Sequence, residues 1–514
     1  MVASSRPVLR VTSAALLLAA CATSPPPHAA PDVTTQAPRA APEPAAPPVA
    51  APEQAPPSAL ATQYGDVVAR IAAAAASDGL AYERLQHLCD VIGPRLSGSE
   101  GLERAVAWTA RTMRDDGLDA VHVQEVQVPH WVRGREGARL VEPRTTPLRM
   151  LGLGNSVGTP EGGITAELVV ARDFAELDAL GDAPRGRIVL FDAAMPPYDA
   201  ERGSGYGETV IYRSIGASRA AARGAVACLV RSVTARSLAT PHTGMLRYER
   251  EAPEIPAAAV CTEDSAMLAR LVRAGERVVV HLEMEAHFEA DAPSGNVIGE
   301  ITGSELPDEV VLLAAHLDSW DVGQGAHDDG GNCMAVLDAL RLLRSLGLRP
   351  RRTIRAVLFT NEENGLRGSR DYVNAHALEI ARYQAAIEAD SGSYRPLGFT
   401  APAAKDERSS AVRARLEEVA ALLRPLGADR LRDGGGGADI GAMGAFGVPL
   451  LGLDVEGSRY FDVHHTWADT FDKIDRDELL ACEAVLAATA YVLADMPERL
   501  APPQADAPPE GASR

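Results

Sequence analysis

The sequence predicts an α/β protein: a mixed, largely parallel sheet flanked by helices, interrupted by a smaller β-rich domain. Three observations carry that prediction. After Asn296, short apolar runs alternate with amphipathic stretches, as a parallel sheet requires when its crossovers lay helices on both faces. From roughly Pro147 to Glu285 the texture changes to short β-rich runs. At 514 residues, with 46% hydrophobic and 23% charged, the chain has ordinary globular composition and length for about two to four folded units.

At the N-terminus, Arg6 and Arg10 precede a short apolar run that is too short to span a bilayer. Leu18-Ala19-Ala20-Cys21 has the lipobox pattern, so residues 1–21 read as a lipoprotein signal peptide and Cys21 as the lipidated residue. An ordinary secretory signal is the alternative. Residues 22–58 are nearly all Ala and Pro, with 12 of the chain's 36 prolines, which suits an extended tether. The expected location is across the inner membrane, either lipid-anchored in the cell envelope or extracellular, with membrane contact only through Cys21.

Residues 59–146 open the folded part with helical spacing from Tyr64 to about Ala120. Residues 147–285, the expected insert, contain ITAELVVA, GRIVLFDA, AVACLVRS and ERVVVHLEM, with one helix near Ser214 to Arg223. Residues 286–501 carry strands at Val310–Ala315, Ile354–Phe359, Ala385–Ile387 and Pro449–Leu453, and a helix over 330–346. Residues 502–514 read as a frayed tail. The 70 acidic against 50 basic residues give a formal charge of −20, which excludes nucleic acid as a partner. Cys89, Cys228, Cys261, Cys333 and Cys482 have no metal or redox spacing and read as buried apolar residues.

Each apolar run of the last region is followed by His, Asp or Glu, at the strand ends where open α/β sheets place active sites. His316 and Asp318 follow the first, and Asp328 opens the next helix. Glu362 and Glu363 follow the second, Asp390 the third, and His464 and His465 the last. Alone, each has a structural explanation; Asp328 and Asp329 suit a helix N-terminus. Together, two histidines and several carboxylates form the mixed N/O donor set of a two-zinc hydrolytic site.

His-x-Asp, Asp at a helix start, Glu-Glu, a later Asp and His-Thr-x-x-Asp-Thr resemble the pattern of the co-catalytic zinc aminopeptidase and glutamate carboxypeptidase family. HLDSWDVGQGA, DDGG, LGLRPRRT and GGGGADI are most similar to its carboxypeptidase branch. The resemblance runs from about Tyr82 to Met496. It implies a zinc-exopeptidase (phosphorylase/hydrolase-like) sheet with a protease-associated insert, two Zn²⁺ ions and hydrolysis of dipeptides or short peptides. A broad aminopeptidase is the alternative, and a non-catalytic binding protein a more remote one. Asp328 would be shared by both ions, with His316 and Asp390 at one and Glu363 and His465 at the other. Glu362 would be the general base, and Asp318 and Asp469 would orient the groups around them. Cobalt or manganese would suit the same donors. A homodimer is an assembly open to proteins of this kind.

Other signals weigh less. Gly154–Gly158 matches G-x-S-x-G around Ser156, but the turn-rich 159–163 follows instead of a helix. Gly434–Gly437 reads as a loop near substrate, with Asp439 a candidate contact. His242 and His327 read as surface or packing residues. Polarity stays open: an aminopeptidase needs acids around a free α-amine, a carboxypeptidase a cation for a free carboxylate, and the sequence does not say which charges reach the pocket.

Overall fold

The computed structural model describes residues 59–501; Cys21, the segment 22–58 and the tail 502–514 lie outside them. Among the described residues no helix is long and apolar enough to cross a membrane.

One sheet is built from β1 (Asp119–Val128), β2 (Ala292–Ile301), β3 (Leu306–His316), β4 (Arg352–Phe359), β5 (Tyr383–Glu388), β6 (Pro396–Ala401), β7 (Arg430–Asp433) and β8 (Leu450–Val455). Their order is β1-β2-β4-β3-β5-β8-β6-β7. The central strands β4, β3, β5 and β8 run parallel. Antiparallel pairings add β2 and β1 on one side and β6 on the other. The continuous apolar texture of β3 follows from burial on both faces. Val311, Leu313 and Ala315 join a core formed with the helices Ala59–Asp78, Gly331–Ser345 and Arg476–Asp495, whereas Val310, Leu312 and Ala314 pack with Tyr372, Val373, Ile440 and Met443. At about 1.5–3 kcal/mol per fully buried Val or Leu, β3 is a principal contributor to the core. The expected mixed, largely parallel sheet is present. The 330–346 helix is observed as Gly331–Ser345.

A second eight-stranded sheet comes entirely from the chain between β1 and β2. Ile164–Ala171, Ile188–Phe191, Ala227–Arg231 and Ala257–Val260 are parallel neighbours. Val279–Met284 and Glu136–Glu142 extend it antiparallel. The strand Glu136–Glu142 lies before 147, where the insert was expected to begin; EGARLVE has too few apolar residues to signal a strand. The helix expected near 214–223 begins earlier and spans Tyr206–Ala222. The chain crosses between the sheets at one place, where Trp131–Val132 pairs antiparallel with His287–Phe288.

Candidate active site

The carboxyl ends of the parallel strands bring the expected residues together. His316 ends β3, and its Nε2 lies 3.4 Å from Asp328 Oδ1 and 3.6 Å from Asp390 Oδ1. His465 follows β8, and its Nε2 lies 3.1 Å from Asp328 Oδ2 and 3.0 Å from Glu363 Oε2. Asp328 therefore stands between two groups of donors, one oxygen toward each. His464 also reaches it, with Nε2 3.7 Å from Asp328 Oδ2, and its ring stacks on His465 with centroids 3.5 Å apart. Two triads, Asp328–His464–His465 and His316–Asp329–Asp390, each offer ligand atoms within 4.8 Å of one another.

Buried hydrogen bonds set these positions. Asp318, fully buried, accepts the Glu362 amide on Oδ1 at 3.0 Å and the Glu363 amide on Oδ2 at 3.2 Å. Asp469 accepts the amides of His327 and Asp328 at 2.8 and 3.1 Å. Asp329 accepts from the His316 amide and from Asn332 Nδ2, which ties it to the backbone. The ring orientations also distinguish the histidines. His316 Nδ1 lies 3.0 Å from the Asp318 carbonyl and His465 Nδ1 3.3 Å from the Thr243 carbonyl. A proton on each Nδ1 leaves both Nε2 lone pairs facing Asp328, the arrangement of ligating histidines. His464 Nδ1 is buried without a partner, so nothing fixes its tautomer in the same way.

The electrostatics fit cations. Although burial favours a neutral ring, Glu363 and Asp328 raise His465 to about 10. Burial, reinforced by the charge of Asp328, raises Glu363 to about 7, and burial pushes Glu362 well above the usual carboxylate range. Glu363 Oε1 is buried without a hydrogen-bond partner. Imidazole and carboxylate donors crowded out of water with an orphaned oxygen suit divalent metal ions such as zinc.

Residues 296–490 match the model of Peptidase family M28. Mouse carboxypeptidase Q is 44% identical over 421 residues, covering 82% of this chain and 86% of that protein. The chain belongs to peptidase family M28. The structure of a peptidase M28 precursor from Shewanella amazonensis aligns with TM-score 0.81 at 35% identity, covering 87% of this chain and all of that one. A probable leucine aminopeptidase 2 of Arthroderma benhamiae is 30% identical over 57% of this chain and 54% of its own length. The expectation of a metallo-exopeptidase of this family is met.

The M28 site opens into a cavity of about 730 Å³. Glu362, Glu363, Asp328, Asp390 and His465 line it, as do the glycines 435–437. Asp439 does not: its side chain is buried, and its amide donates to Glu388 Oε1. Sequence reasoning missed Glu388 and the residues that the second sheet contributes, Tyr198, Ser204, Tyr206, Arg213 and Met245. Glu388 ends β5, and the others reach the cavity only because the chain of the second sheet returns over the strand ends. Ser156 is fully buried, and its Oγ accepts the Ala257 amide, so it holds structure. His242 is buried rather than on the surface, and His327 packs on Tyr394 at 4.2 Å. The five described cysteines are free and buried.

Proposed function

We propose that the protein is a two-zinc exopeptidase that hydrolyses dipeptides or short peptides in the manner of carboxypeptidase Q. The observation that carries the reading is Asp328 standing between two donor groups at the floor of the cavity. In this reading His316 and Asp390 would hold one zinc and Glu363 and His465 the other, with Asp328 available to each. When bound, the two ions supply Lewis acidity for the scissile carbonyl and for the attacking water. Glu362 is the general base: a cavity-lining carboxylate beside the ligand Glu363 takes the proton of the attacking water and returns it to the leaving nitrogen. Asp318 supports this by fixing the backbone of Glu362 and Glu363 together.

The deciding experiment offers one dipeptide as the free form, the amino-blocked form and the carboxyl-blocked form to zinc-loaded protein and its Glu362→Gln variant. Cleavage of the free form alone, lost in the variant, supports the reading. Efficient cleavage of the carboxyl-blocked form moves it to the second candidate, a broad aminopeptidase, which Glu388 on the cavity wall favours by offering a carboxyl group to a free α-amine.

The second sheet corresponds in this reading to a protease-associated domain that narrows the cavity and limits peptide length. Lipidation at Cys21 would hold the enzyme at the envelope. An unmodified N-terminal residue in mass spectrometry of membrane-extracted protein removes the anchor.

A further inference from the structure

Residues 154–158 form a turn between the strands Met150–Gly152 and Ile164–Ala171 of the second sheet, and bonds around Ser156 make it rigid. The Ser156 amide donates to the Leu153 carbonyl, its Oγ accepts the Ala257 amide, and its carbonyl accepts Trp131 Nε1 at 2.9 Å. Gly154 adds a backbone pair, donating to the Gly244 carbonyl and accepting the Leu246 amide.

Asn155 stands at the tip of this turn with φ +67°, a left-handed conformation that asparagine tolerates better than most residues. Its side chain makes no bond within the turn. Nδ2 donates to the Asn364 carbonyl at 3.3 Å, and Oδ1 accepts Asn364 Nδ2 at 3.5 Å. The pair joins the second sheet to the segment that carries Glu362.

That segment is itself a tight turn. Asn361 and Leu366 are left-handed, with φ +64° and +61°, a costly arrangement that surrounding bonds must hold. Buried Asn361 donates to Ser97 Oγ at 2.9 Å and to Asn364 Oδ1 at 2.6 Å, and its Oδ1 accepts the Arg367 amide. Asn364 is also buried, and among the described residues its Nδ2 has one acceptor, Asn155 Oδ1. Without Asn155 a buried donor is unmet, which favours a shift of the turn. The 154–158 turn also reaches the other support of Glu362. Gly154 leaves no room for a side chain against the ring of Trp320, which belongs to the same segment as Asp318, and Asp318 accepts the Glu362 and Glu363 amides.

We propose that Asn155 is a positioning residue for hydrolysis: through Asn364 it locks the turn 361–366 so that the Glu362 carboxyl keeps its aim into the cavity. The inference rests on the reading of Glu362 as the base. It gives the G-x-S-x-G segment a use in which Ser156 builds the turn and the residue before it acts.

The test compares the zinc-loaded parent with Asn155→Gly, Asn155→Asp, Asn364→Ala and the double variant Asn155→Gly/Asn364→Ala. Glycine accepts the left-handed backbone, so Asn155→Gly removes the side chain alone. Its kcat for a dipeptide should fall about 10-fold with KM within about twofold of the parent. Zinc content should be unchanged and the melting temperature within about 4 °C. Asn155→Asp keeps the acceptor for Asn364 Nδ2 and should recover part of the rate. The double variant should be within about twofold of the slower single one, because the two side chains act as a unit. In crystal structures, the Glu362 carboxyl of Asn155→Gly should move by more than about 0.5 Å while Asp318 stays in place. Parental kcat in Asn155→Gly, or effects that multiply in the double variant, overturn the proposal. So does loss of zinc or of melting temperature in step with kcat, which assigns Asn155 a structural role. If the unmutated enzyme hydrolyses no dipeptide, the functional reading falls, while the position of Glu362 in the two crystal structures still decides what Asn155 does.

Discussion

Asp318 spends both carboxylate oxygens on the amides of two adjacent glutamates, and this fixes where the proposed base and the neighbouring candidate ligand can point. Asp318→Asn keeps the shape but replaces one acceptor with a donor that faces an amide. Turnover should fall about 10–100-fold in steady-state kinetics, with most of the zinc retained in metal analysis. Glu362→Gln should keep the metal and lower kcat about 100- to 10,000-fold in the same assays. The candidate ligand residues were legible as a group because they lie after apolar runs and fit a spaced pattern. Arg213 and Glu388 were not, since one arginine in an alanine-rich helix and one glutamate at a strand end look like solvated charge in a linear chain. His464 and His465 are adjacent and chemically alike in sequence. They separate in the fold, where His465 Nε2 lies 3.0 Å from Glu363 and its Nδ1 3.3 Å from the carbonyl of Thr243, in a loop between two strands of the second sheet.

At the level of elements, β3 both supplies His316 and ties together the two faces of the sheet. Leu313→Ala should destabilise the fold by about 2–5 kcal/mol, read from urea unfolding. The Arg476–Asp495 helix buries Glu483 against Asp338 on the Gly331–Ser345 helix. Asp338 takes Arg84 and Arg341, so both Glu483 oxygens lack hydrogen-bond partners. Burial, with Asp338 adding to it, raises Glu483 to about 9 from 4.5. The folded state therefore holds a proton that the unfolded chain has released, and this group's contribution to stability declines as pH rises from about 4.5 to about 9. Glu483→Gln should flatten that decline and raise the melting temperature at pH 8 relative to the parent. The strands β3, β4, β5 and β8 were readable as apolar runs. Glu136–Glu142, β6 and β7 were not, because strands as short or as polar as EGARLVE, PLGFTA and RLRD carry no continuous apolar run.

At the level of the molecule, the hydrolytic centre draws on both sheets: the first provides the candidate ligands, and the second provides the Thr243 carbonyl, Tyr206 and Arg213. Metal bound to the folded state alone should stabilise it by mass action, about 4 kcal/mol at a thousandfold excess over Kd. Chelation should lower the melting temperature in calorimetry, and added zinc should restore it. The alternation of apolar runs predicted the first sheet and the change in texture signalled a second. How closely they cooperate was hidden, because contacts between distant segments leave no local periodicity.

The pairing of β1 with β2 also bears on how the chain is made. Val128 finds its partner Ala292 only after the whole second sheet has been synthesised. At about 5–20 residues per second, that delay is on the order of ten to thirty seconds. During it, the β1 strand leaves the ribosome with unsatisfied backbone groups and nothing to close against, while the second sheet is completed only at Met284, just ahead of β2. Nascent chains are thus at greatest risk of aggregation from a ten-residue strand near the start of the fold, and a chaperone that covers residues 119–128 would protect the protein at the stage when it is most exposed.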